Sequence, residues 1–365
     1  MIPLFKIHHP VGVGDAIERT FASGIIAEGA ACDEFEKQLG ALFESSYVAL
    51  TNSATSALTL AYRACDVGPG TEVISSPVTC AATNQPIVNA GASIVWADVQ
   101  PDTGNIDPSC VEKLITDRTR AIVAVHWAGQ PFDIDELCEI GRRRGVPIIA
   151  DAAHALGATY KNKSITQNCD HTIFSFQAIK HLTTGDGGAI VSRAKLDHER
   201  IKLLRWFGID RKFVGPRWEQ DIIECGYKFH MNDIAATIGL SQLDHIPSIL
   251  FRHGIHGSYF DRVIDDSARV KKLRRPDDRV SAHWIYTLLV DDPDEFKAFM
   301  KARGIATDRV HMRNDRYTAF KAFRRDSDLP GVDEFCAHMI NIPVGWWLSP
   351  DDTKKIAAAV NEYGI

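Results

Sequence analysis

Residues 121–151 read AIVAVHWAGQPFDIDELCEIGRRRGVPIIAD, and this stretch contains the local pattern that determines the fold. Ala121–His126 and Pro147–Asp151 are short runs rich in β-branched and other apolar residues, which predicts two buried strands. Between them, Ile134–Arg144 has a helical pattern with Asp133 as its expected N-cap. A strand, a helix and a second strand in this order are typical of an α/β domain with parallel strands.

The same alternation extends from about residue 45 to residue 195. The other predicted strands are Tyr47–Thr51, Glu72–Ser76, Ser93–Ala97, Thr172–Phe176 and Ala189–Ser192. Apolar runs with few polar interruptions suit a sheet that is buried on both faces. The predicted fold class is therefore α/β, with a largely parallel sheet flanked by helices.

A second, smaller unit follows the helical stretch that ends the α/β pattern. Its predicted elements are a strand at His283–Val290, a helix at Asp294–Arg303 and a final helix at Pro350–Tyr363. We expect residues 1–245 to form an N-terminal segment with the large domain. Residues 246–365 are expected to form a smaller C-terminal α/β domain.

Composition excludes several classes of protein. The chain has 365 residues, of which 45% are hydrophobic and 24% charged, as in ordinary globular proteins. A formal net charge of −6 gives no global electrostatic reason to bind nucleic acid or an anionic membrane. The start lacks the pattern of a secretory leader, and no run of apolar residues is long enough to span a membrane.

The eight cysteines are scattered without a Cys-x-x-Cys pair. This pattern argues against a zinc ribbon and against a dense disulfide framework, so we expect no metal centre. A reduced, cytoplasmic protein is the expectation that follows.

Polar residues that directly follow predicted strands are the first candidates for chemistry, because ligands of parallel α/β sheets bind outside the carboxyl ends of the strands. One such place is Thr51-Asn-Ser-Ala-Thr-Ser-Ala57, which runs from a strand into a helix. Free N–H groups there, with the hydroxyls of Thr55 and Ser56, could form a cup for phosphate. Ordinary helix capping is the alternative.

Asp151 ends an apolar strand, where a buried carboxylate needs a cation or strong hydrogen-bond donors, and His154 lies three residues further on. A helix-capping role for Asp151 is the alternative. Lys180 follows the run Phe174-Ser-Phe-Gln-Ala-Ile and has mostly apolar or small neighbours in sequence. Such surroundings disfavour the ammonium form, which makes Lys180 a candidate amine nucleophile toward a carbonyl. A surface lysine in a loop is the alternative.

Together these segments resemble the DegT/StrS family of nucleotide-sugar aminotransferases, which are fold-type-I pyridoxal-phosphate enzymes, over almost the whole chain. Three motifs carry the resemblance in the family's order: Thr51-Asn-Ser-Ala-Thr-Ser-Ala57, Asp151-Ala-Ala-His154 and Ser175-Phe-x-x-x-Lys180. The resemblance implies that Lys180 forms the Schiff base with pyridoxal 5′-phosphate and that Asp151 faces the pyridine nitrogen.

The resemblance also implies the other cofactor contacts. In this interpretation Thr55, Ser56 and Ser175 hold the phosphate, and His154 lies beside the ring. Cys80 occupies the position where the family commonly has an aromatic residue stacked on the ring.

Lys228 stands where the family usually has an asparagine that reaches the phosphate from the neighbouring subunit. An ammonium group suits a phosphate dianion, so we expect Lys228 to act across a homodimer with shared active sites. A solvated surface lysine is the alternative. His311 and Arg313 resemble a loop of the family near the sugar and are candidate substrate contacts, with surface polar residues as the alternative.

The resemblance implies transfer of an amino group, with L-glutamate as the expected donor, to a 3- or 4-keto nucleotide-linked deoxysugar. Lys180 argues against the sugar dehydratases of the family, in which a histidine replaces the lysine. Two alternatives use the same cofactor: a carbon–sulfur lyase or desulfurase, and a regulator that binds the cofactor without turnover.

Overall fold

The computed structural model describes residues 1–324 and 328–365. Its helices are α1 (Val13–Ala22), α2 (Ala30–Leu42), α3 (Ala54–Ala64), α4 (Ala81–Asn89), α5 (Pro108–Leu114), α6 (Ile134–Arg144), α7 (Lys195–Leu204), α8 (Asp233–Leu243), α9 (Ile246–Val263), α10 (Pro293–Ala302), α11 (Pro330–His338) and α12 (Pro350–Tyr363). Its strands are β1 (Val48–Thr51), β2 (Glu72–Ser75), β3 (Ser93–Trp96), β4 (Thr119–Val125), β5 (Ile148–Asp151), β6 (Thr159–Tyr160), β7 (Lys163–Ser164), β8 (His171–Ser175), β9 (Gly188–Ser192), β10 (Val270–Lys272), β11 (Arg279–Val280), β12 (Tyr286–Val290) and β13 (Met339–Ile342).

Seven strands form the central sheet in the order β1-β9-β8-β5-β4-β2-β3. The pairs from β8 to β3 are all parallel, whereas β9 runs antiparallel to both of its neighbours, β1 and β8. The predicted α/β class with a largely parallel sheet is confirmed.

Both faces of this sheet are buried. On β5, Ile148 and Ala150 belong to one apolar cluster and Ile149 belongs to another, as expected for side chains that alternate across a strand. One cluster includes Phe132 from the loop before α6, and the second includes Tyr62 from α3. Covering both faces explains why the middle of each central strand is mostly apolar.

Helix α6 has the bounds predicted from sequence, but its N-cap interaction differs. Asp133 occupies the N-cap position without a capping hydrogen bond from its side chain. Its carboxylate instead accepts hydrogen bonds from Gln100 and from Arg279 of β11. Asp133 is therefore the N-cap residue, as predicted, but its carboxylate binds a distant guanidinium and not the N–H groups of the helix start.

The C-terminal part has its own antiparallel sheet in the order β10-β12-β13, packed against α9, α10 and α12. The strand that was predicted to begin at His283 begins at Tyr286. His283 has a φ of 46°, and this left-handed conformation does not fit a β-strand. Strand β11 pairs with β6 and so joins the two parts. The domain boundary at residue 245 stays a prediction. Within the described ranges, no helix has the length and apolar character needed to cross a membrane.

Two buried histidines pack together where the loop after β8 meets the C-terminal part. The ring N–H of His181 donates to the carbonyl of Ala282 over 3.0 Å, and that of His253 donates to the carbonyl of His283 over 2.8 Å. The two rings pack edge to face, 4.5 Å apart. Burial lowers the pKa of both histidines, that of His253 to about 4.

These lowered pKa values predict that acid destabilises the protein. The unfolded chain takes up protons on these histidines below about pH 6.5 while the folded chain keeps them neutral, so stability falls as the pH decreases. For His253, whose folded pKa is about 4, the loss between pH 7 and pH 5 is about 2 kcal/mol. Urea unfolding at several pH values measures this loss.

The matched variants are His253→Asn and His9→Asn, since His9 is exposed. His253→Asn keeps a hydrogen-bond donor but removes the titrating group, so its stability is expected to vary less between pH 7 and pH 5. His9→Asn is expected to follow the wild type. Equal acid sensitivity in all three proteins would contradict the explanation.

Candidate active site

A cavity of about 310 Å³ opens at the carboxyl ends of the central strands. It brings together seven of the residues singled out in the sequence, namely Thr55, Cys80, Asp151, His154, Ser175, Lys180 and His311. Three others, Ser56, Lys228 and Arg313, are not part of its lining. The roles proposed for all ten residues stay predictions. The structure places seven of them at the cavity and three outside its lining.

The start of helix α3 forms one end of the cavity. Ser53 caps the helix, with its hydroxyl accepting the N–H of Ser56 over 3.0 Å. The hydroxyl of Ser56 donates a hydrogen bond to the side chain of Asn52, so it belongs to this local network. At Ala54 and Thr55, which line the cavity, the N–H groups belong to the first helical turn and lack intrahelical acceptors. This end of the cavity therefore suits an anion.

A glycine makes this cup possible. A Cβ atom on Gly188, the first residue of β9, would lie 2.6 Å from the backbone nitrogen of Ala54 and 2.7 Å from the carbonyl carbon of Ser53. Both atoms belong to the backbone, so the contact could not be relieved by turning a side chain. Glycine at this position lets β9 lie directly against the helix start.

Asp151 lies at the floor of the cavity, with only 4% of its surface exposed. One carboxylate oxygen accepts the hydroxyl of Thr83 over 2.7 Å, and the other accepts the N–H of Ala153 over 3.1 Å. Burial raises the pKa of Asp151, while these hydrogen bonds and the charge of Lys180 oppose the rise.

Lys180 extends into the same cavity from the loop between β8 and β9. Burial lowers the pKa of its amine to about 7, against the opposing attraction of Asp151. The Nζ atom lies 3.8 Å from the centre of the Trp284 indole. Near neutral pH a substantial fraction of the amine is unprotonated, as a nucleophile toward a carbonyl requires.

Aromatic rings form the wall beside Lys180. The His154 ring stacks on Trp284 with centres 3.8 Å apart and planes within 10°, and His311 lies parallel to His154 at 5.6 Å. Burial lowers the pKa of both histidines, that of His311 to about 4, so both are neutral near pH 7. The position of Trp284 in the cavity was not predicted from the sequence, because this residue comes from the C-terminal part and belongs to no motif.

The remaining candidates lie at the edge of the cavity or outside it. Cys80 is exposed at the edge, in the N-cap position of α4. Lys228 is exposed, and its backbone carbonyl accepts a hydrogen bond from Asn52 near the helix start. Arg313 forms ion pairs with Asp315 and Asp333, so two carboxylates already occupy its guanidinium.

The donor set suits an organic cofactor better than a metal. In the part of the chain that the structure describes, no cluster of three or more His, Cys, Asp or Glu residues could hold a metal ion. The cavity instead offers an anion cup, a carboxylate and a reactive amine. The buried Nδ1 atom of His154 has no partner within the described residues, so a polar position is left for a ligand.

These groups match the phosphate, the ring nitrogen and the aldehyde of pyridoxal phosphate. An α/β fold with this cavity at the strand ends is that of a pyridoxal-phosphate-dependent enzyme of the aminotransferase class. The chain belongs to the DegT/DnrJ/EryC1/StrS aminotransferase family, whose model matches residues 13–361.

Comparison with individual proteins agrees with this family. A UDP-4-amino-4,6-dideoxy-N-acetyl-beta-L-altrosamine transaminase of Campylobacter jejuni is 31% identical over 94% of this chain and 92% of its own. The crystal structure of the sugar aminotransferase CalS13 from Micromonospora echinospora superposes with a TM-score of 0.95, at 34% identity, over 99% of this chain and all (100%) of that one.

A third relative identifies the cofactor. The putative sugar aminotransferase Spr1654 from Streptococcus pneumoniae, solved in its PLP form, has a TM-score of 0.91 at 29% identity, over 100% of this chain and 99% of that one. The present protein is a pyridoxal-phosphate-dependent aminotransferase.

The lowered pKa of Lys180 predicts how the cofactor-free protein captures pyridoxal phosphate. Because only the unprotonated amine reacts, the rate of covalent capture is expected to rise with pH through about 7 and to level off above about 8. An ordinary surface lysine would continue to gain rate toward pH 10. Stopped-flow absorbance measures the rate.

Borohydride reduction followed by peptide mass spectrometry identifies the labelled residue. Lys180→Ala is expected to abolish the label, and Lys163→Ala, at an exposed lysine of β7, is expected to retain it. A label on another lysine in the wild type would overturn the assignment.

Proposed function

We propose that the protein transfers an amino group from L-glutamate to a 3- or 4-keto nucleotide-linked deoxysugar, and that it works as a cytoplasmic homodimer. The observation that carries this proposal is the enclosure of Lys180 and Asp151 in one cavity that ends in an anion cup. The Campylobacter relative, a UDP-amino-sugar transaminase, and the Micromonospora relative, a sugar aminotransferase, support a sugar acceptor. The eight unbridged cysteines suit a reducing compartment.

In the proposed reaction, the residues of this chain bind the cofactor and move protons. The N–H groups at the helix start, with the hydroxyls of Thr55 and Ser175, would hold the phosphate, while Ser56, which was predicted to join them, is hydrogen-bonded to Ser53 and Asn52. Asp151 would pair with the protonated ring nitrogen. Lys180 would anchor the cofactor covalently. Bound pyridoxal phosphate supplies an electron sink for the charge left when a proton leaves the substrate carbon.

Lys180 also suits the proton transfers. Its Nζ atom would hold and move the proton at the substrate carbon, since a pKa of about 7 allows this amine both to accept and to donate a proton at neutral pH. The stacked rings of His154 and Trp284 shield the amine from bulk water on one side. In this scheme Lys180 is the catalytic acid and base as well as the anchor.

The charge of the ligands favours a further cation beside the cavity. Among the described residues that line the cavity, Lys180 is the only lysine or arginine. A phosphate and the carboxylates of glutamate together bring several negative charges. Lys228 of a second copy would meet this need at the phosphate end, as expected from the sequence.

An exposed apolar surface near Lys228 supports the proposed second copy of the chain. The segment 207–223 leaves several large apolar side chains exposed, with Val214, Trp218 and Ile223 each at least 85% exposed. Contiguous exposed apolar side chains on a soluble enzyme mark an interaction surface. Continuity with Lys228 supports the homodimer over a different protein partner.

The amino donor is tested first with the half-reaction. Wild-type protein loaded with pyridoxal phosphate is expected to lose its visible absorbance on addition of L-glutamate and to release 2-oxoglutarate in an amount equal to the cofactor. Lys180→Ala is expected to do neither, because it lacks the amine that moves the proton. A loaded wild type that releases no 2-oxoglutarate would refute glutamate as the donor.

The acceptor is then tested on the aminated enzyme. A panel of nucleotide-linked 3-keto and 4-keto deoxysugars is added, and mass spectrometry looks for the amino sugar while the visible absorbance returns. Return of the absorbance with a 2-oxo acid but with no member of the panel would refute the proposed acceptor class.

Mixed dimers test the action of Lys228 across subunits. Lys180→Ala and Lys228→Ala chains carrying different tags are co-expressed and purified as heterodimers. If Lys228 serves the partner's site, one of the two sites has both lysines intact, and about half of the wild-type activity is expected by symmetry. Each variant homodimer is expected to be at least about tenfold less active, since a charged hydrogen bond or the nucleophile is lost.

The control is a heterodimer of Lys180→Ala with wild-type chains. A Lys180→Ala and Lys228→Ala heterodimer that is no more active than the Lys228→Ala homodimer would contradict action across the interface. A monomer in light scattering would contradict the dimer itself.

A further inference from the structure

A buried chain of hydrogen bonds runs beneath the cavity and ends at Asp151. The hydroxyl of Thr83 lies 2.7 Å from a carboxylate oxygen of Asp151, and the hydroxyl of Thr79 lies 2.8 Å from that of Thr83. The amide nitrogen of Asn314 donates to the backbone carbonyl of Thr79 over 2.7 Å. All four side chains are buried.

The direction of these hydrogen bonds is determined by chemistry. An ionised carboxylate only accepts, so the single hydroxyl proton of Thr83 points to Asp151. The hydroxyl of Thr83 can then only accept from Thr79, which therefore directs its own proton to Thr83. Each hydroxyl in such a series polarises the next, and the donors all point toward the carboxylate.

The far end of this chain of hydrogen bonds is fixed by a network of amide side chains that includes Asn314 of the C-terminal part. Asn314 accepts the amide N–H of Asn84 over 2.8 Å, and Asn84 in turn accepts the hydroxyl of Ser75 over 2.6 Å. Asn314 follows His311 on the loop that forms the cavity wall. The same contacts that orient Thr79 thus hold the His311 loop against the large sheet.

Few charges are available to stabilise the carboxylate of Asp151. The titratable side chains around it are Tyr62 on α3, His126 after β4, and His154 and Lys180 in the cavity. Burial raises the pKa of Tyr62 and lowers that of both histidines, so these three groups are neutral near pH 7. Lys180 is charged only in part, which leaves much of the stabilisation to hydrogen bonds.

We propose that Thr83 is a positioning residue that holds the carboxylate of Asp151 ionised and fixed at the cavity floor, and that Thr79 and Asn314 orient the hydroxyl of Thr83 for this task. The inference rests on the proposed role of Asp151 as the partner of the ring nitrogen. It deepens that role, because it names the groups that keep a buried carboxylate charged where the cofactor needs a negative charge.

The test uses pyridoxamine 5′-phosphate, which carries no aldehyde and so does not react with Lys180. Calorimetry gives its dissociation constant from the cofactor-free protein between pH 5 and pH 8.5. In the wild type, affinity is expected to fall on the acid side as Asp151 becomes protonated. Thr83→Val removes the donor while keeping the shape, so this acid limb is expected to move upward by about one to two pH units.

At a fixed pH on the acid limb of the wild type, Thr83→Val is expected to bind the probe about ten to a hundred times more weakly, as a shift of about one to two pH units requires. Thr83→Ser keeps the hydroxyl and is expected to restore the wild-type profile. Thr172→Val is the matched control, since Thr172 is a buried threonine of β8 whose hydroxyl has no partner within the described residues. Asn314→Ala is expected to move the acid limb in the same direction as Thr83→Val, but less.

The inference would be overturned if the affinity of Thr83→Val for the probe fell at the same acid pH as that of the wild type and of Thr172→Val. Loss of binding at every pH with no shift, or failure of Thr83→Ser to restore the profile, would also overturn it and assign Thr83 a packing role. Circular dichroism confirms that each variant is folded. Because the probe binds without donor or sugar, a wrong donor or acceptor would leave this result unchanged.

Discussion

Desolvation of two opposite charges in one cavity is the constraint on which the rest of the site depends. Burial alone would neutralise Asp151 by raising its pKa and Lys180 by lowering its pKa. Their mutual attraction and the hydrogen-bond donors at Asp151 oppose this loss of charge. As a result the pKa of Lys180 lies near 7, and the charged form of Asp151 is stabilised by several groups. The sheet, the glycine at β9 and the aromatic wall all serve to enclose this pair.

The fold produces the enclosure from simple elements. The carboxyl ends of the parallel strands lie at one edge of the sheet, and there Asp151 and the start of α3 meet above a core that is apolar on both faces. The antiparallel strand β9 returns the chain beside β8, so that the loop carrying Lys180 is anchored at both ends in the sheet. The reactive amine is therefore held by a rigid support although it belongs to a loop.

Local sequence patterns were sufficient for the strands of the central sheet and for α6, because each depends on neighbours in the chain. The grouping of Asp151 and Lys180 came from the family resemblance, and the structure places both in one cavity. Contacts between distant segments were not predictable in this way. The carboxylate of Asp133 pairs with Arg279 and not with the N–H groups of its helix, Arg313 is neutralised by Asp333, and Trp284 enters the cavity from another part of the chain. In each case a partner far away in sequence determines what the side chain does.

The cavity is assembled from two parts of the chain that contact each other directly. Its anion cup, carboxylate and amine come from residues 53–187, whereas Trp284 and His311 come from the C-terminal part. Trp284 contacts the amine of Lys180, and Asn314 beside the His311 loop contacts Thr79 beneath Asp151. The C-terminal part therefore acts as a second half of the mould for both charged groups, and a substitution there is felt by the amine and the carboxylate as well as by whatever occupies the space between them.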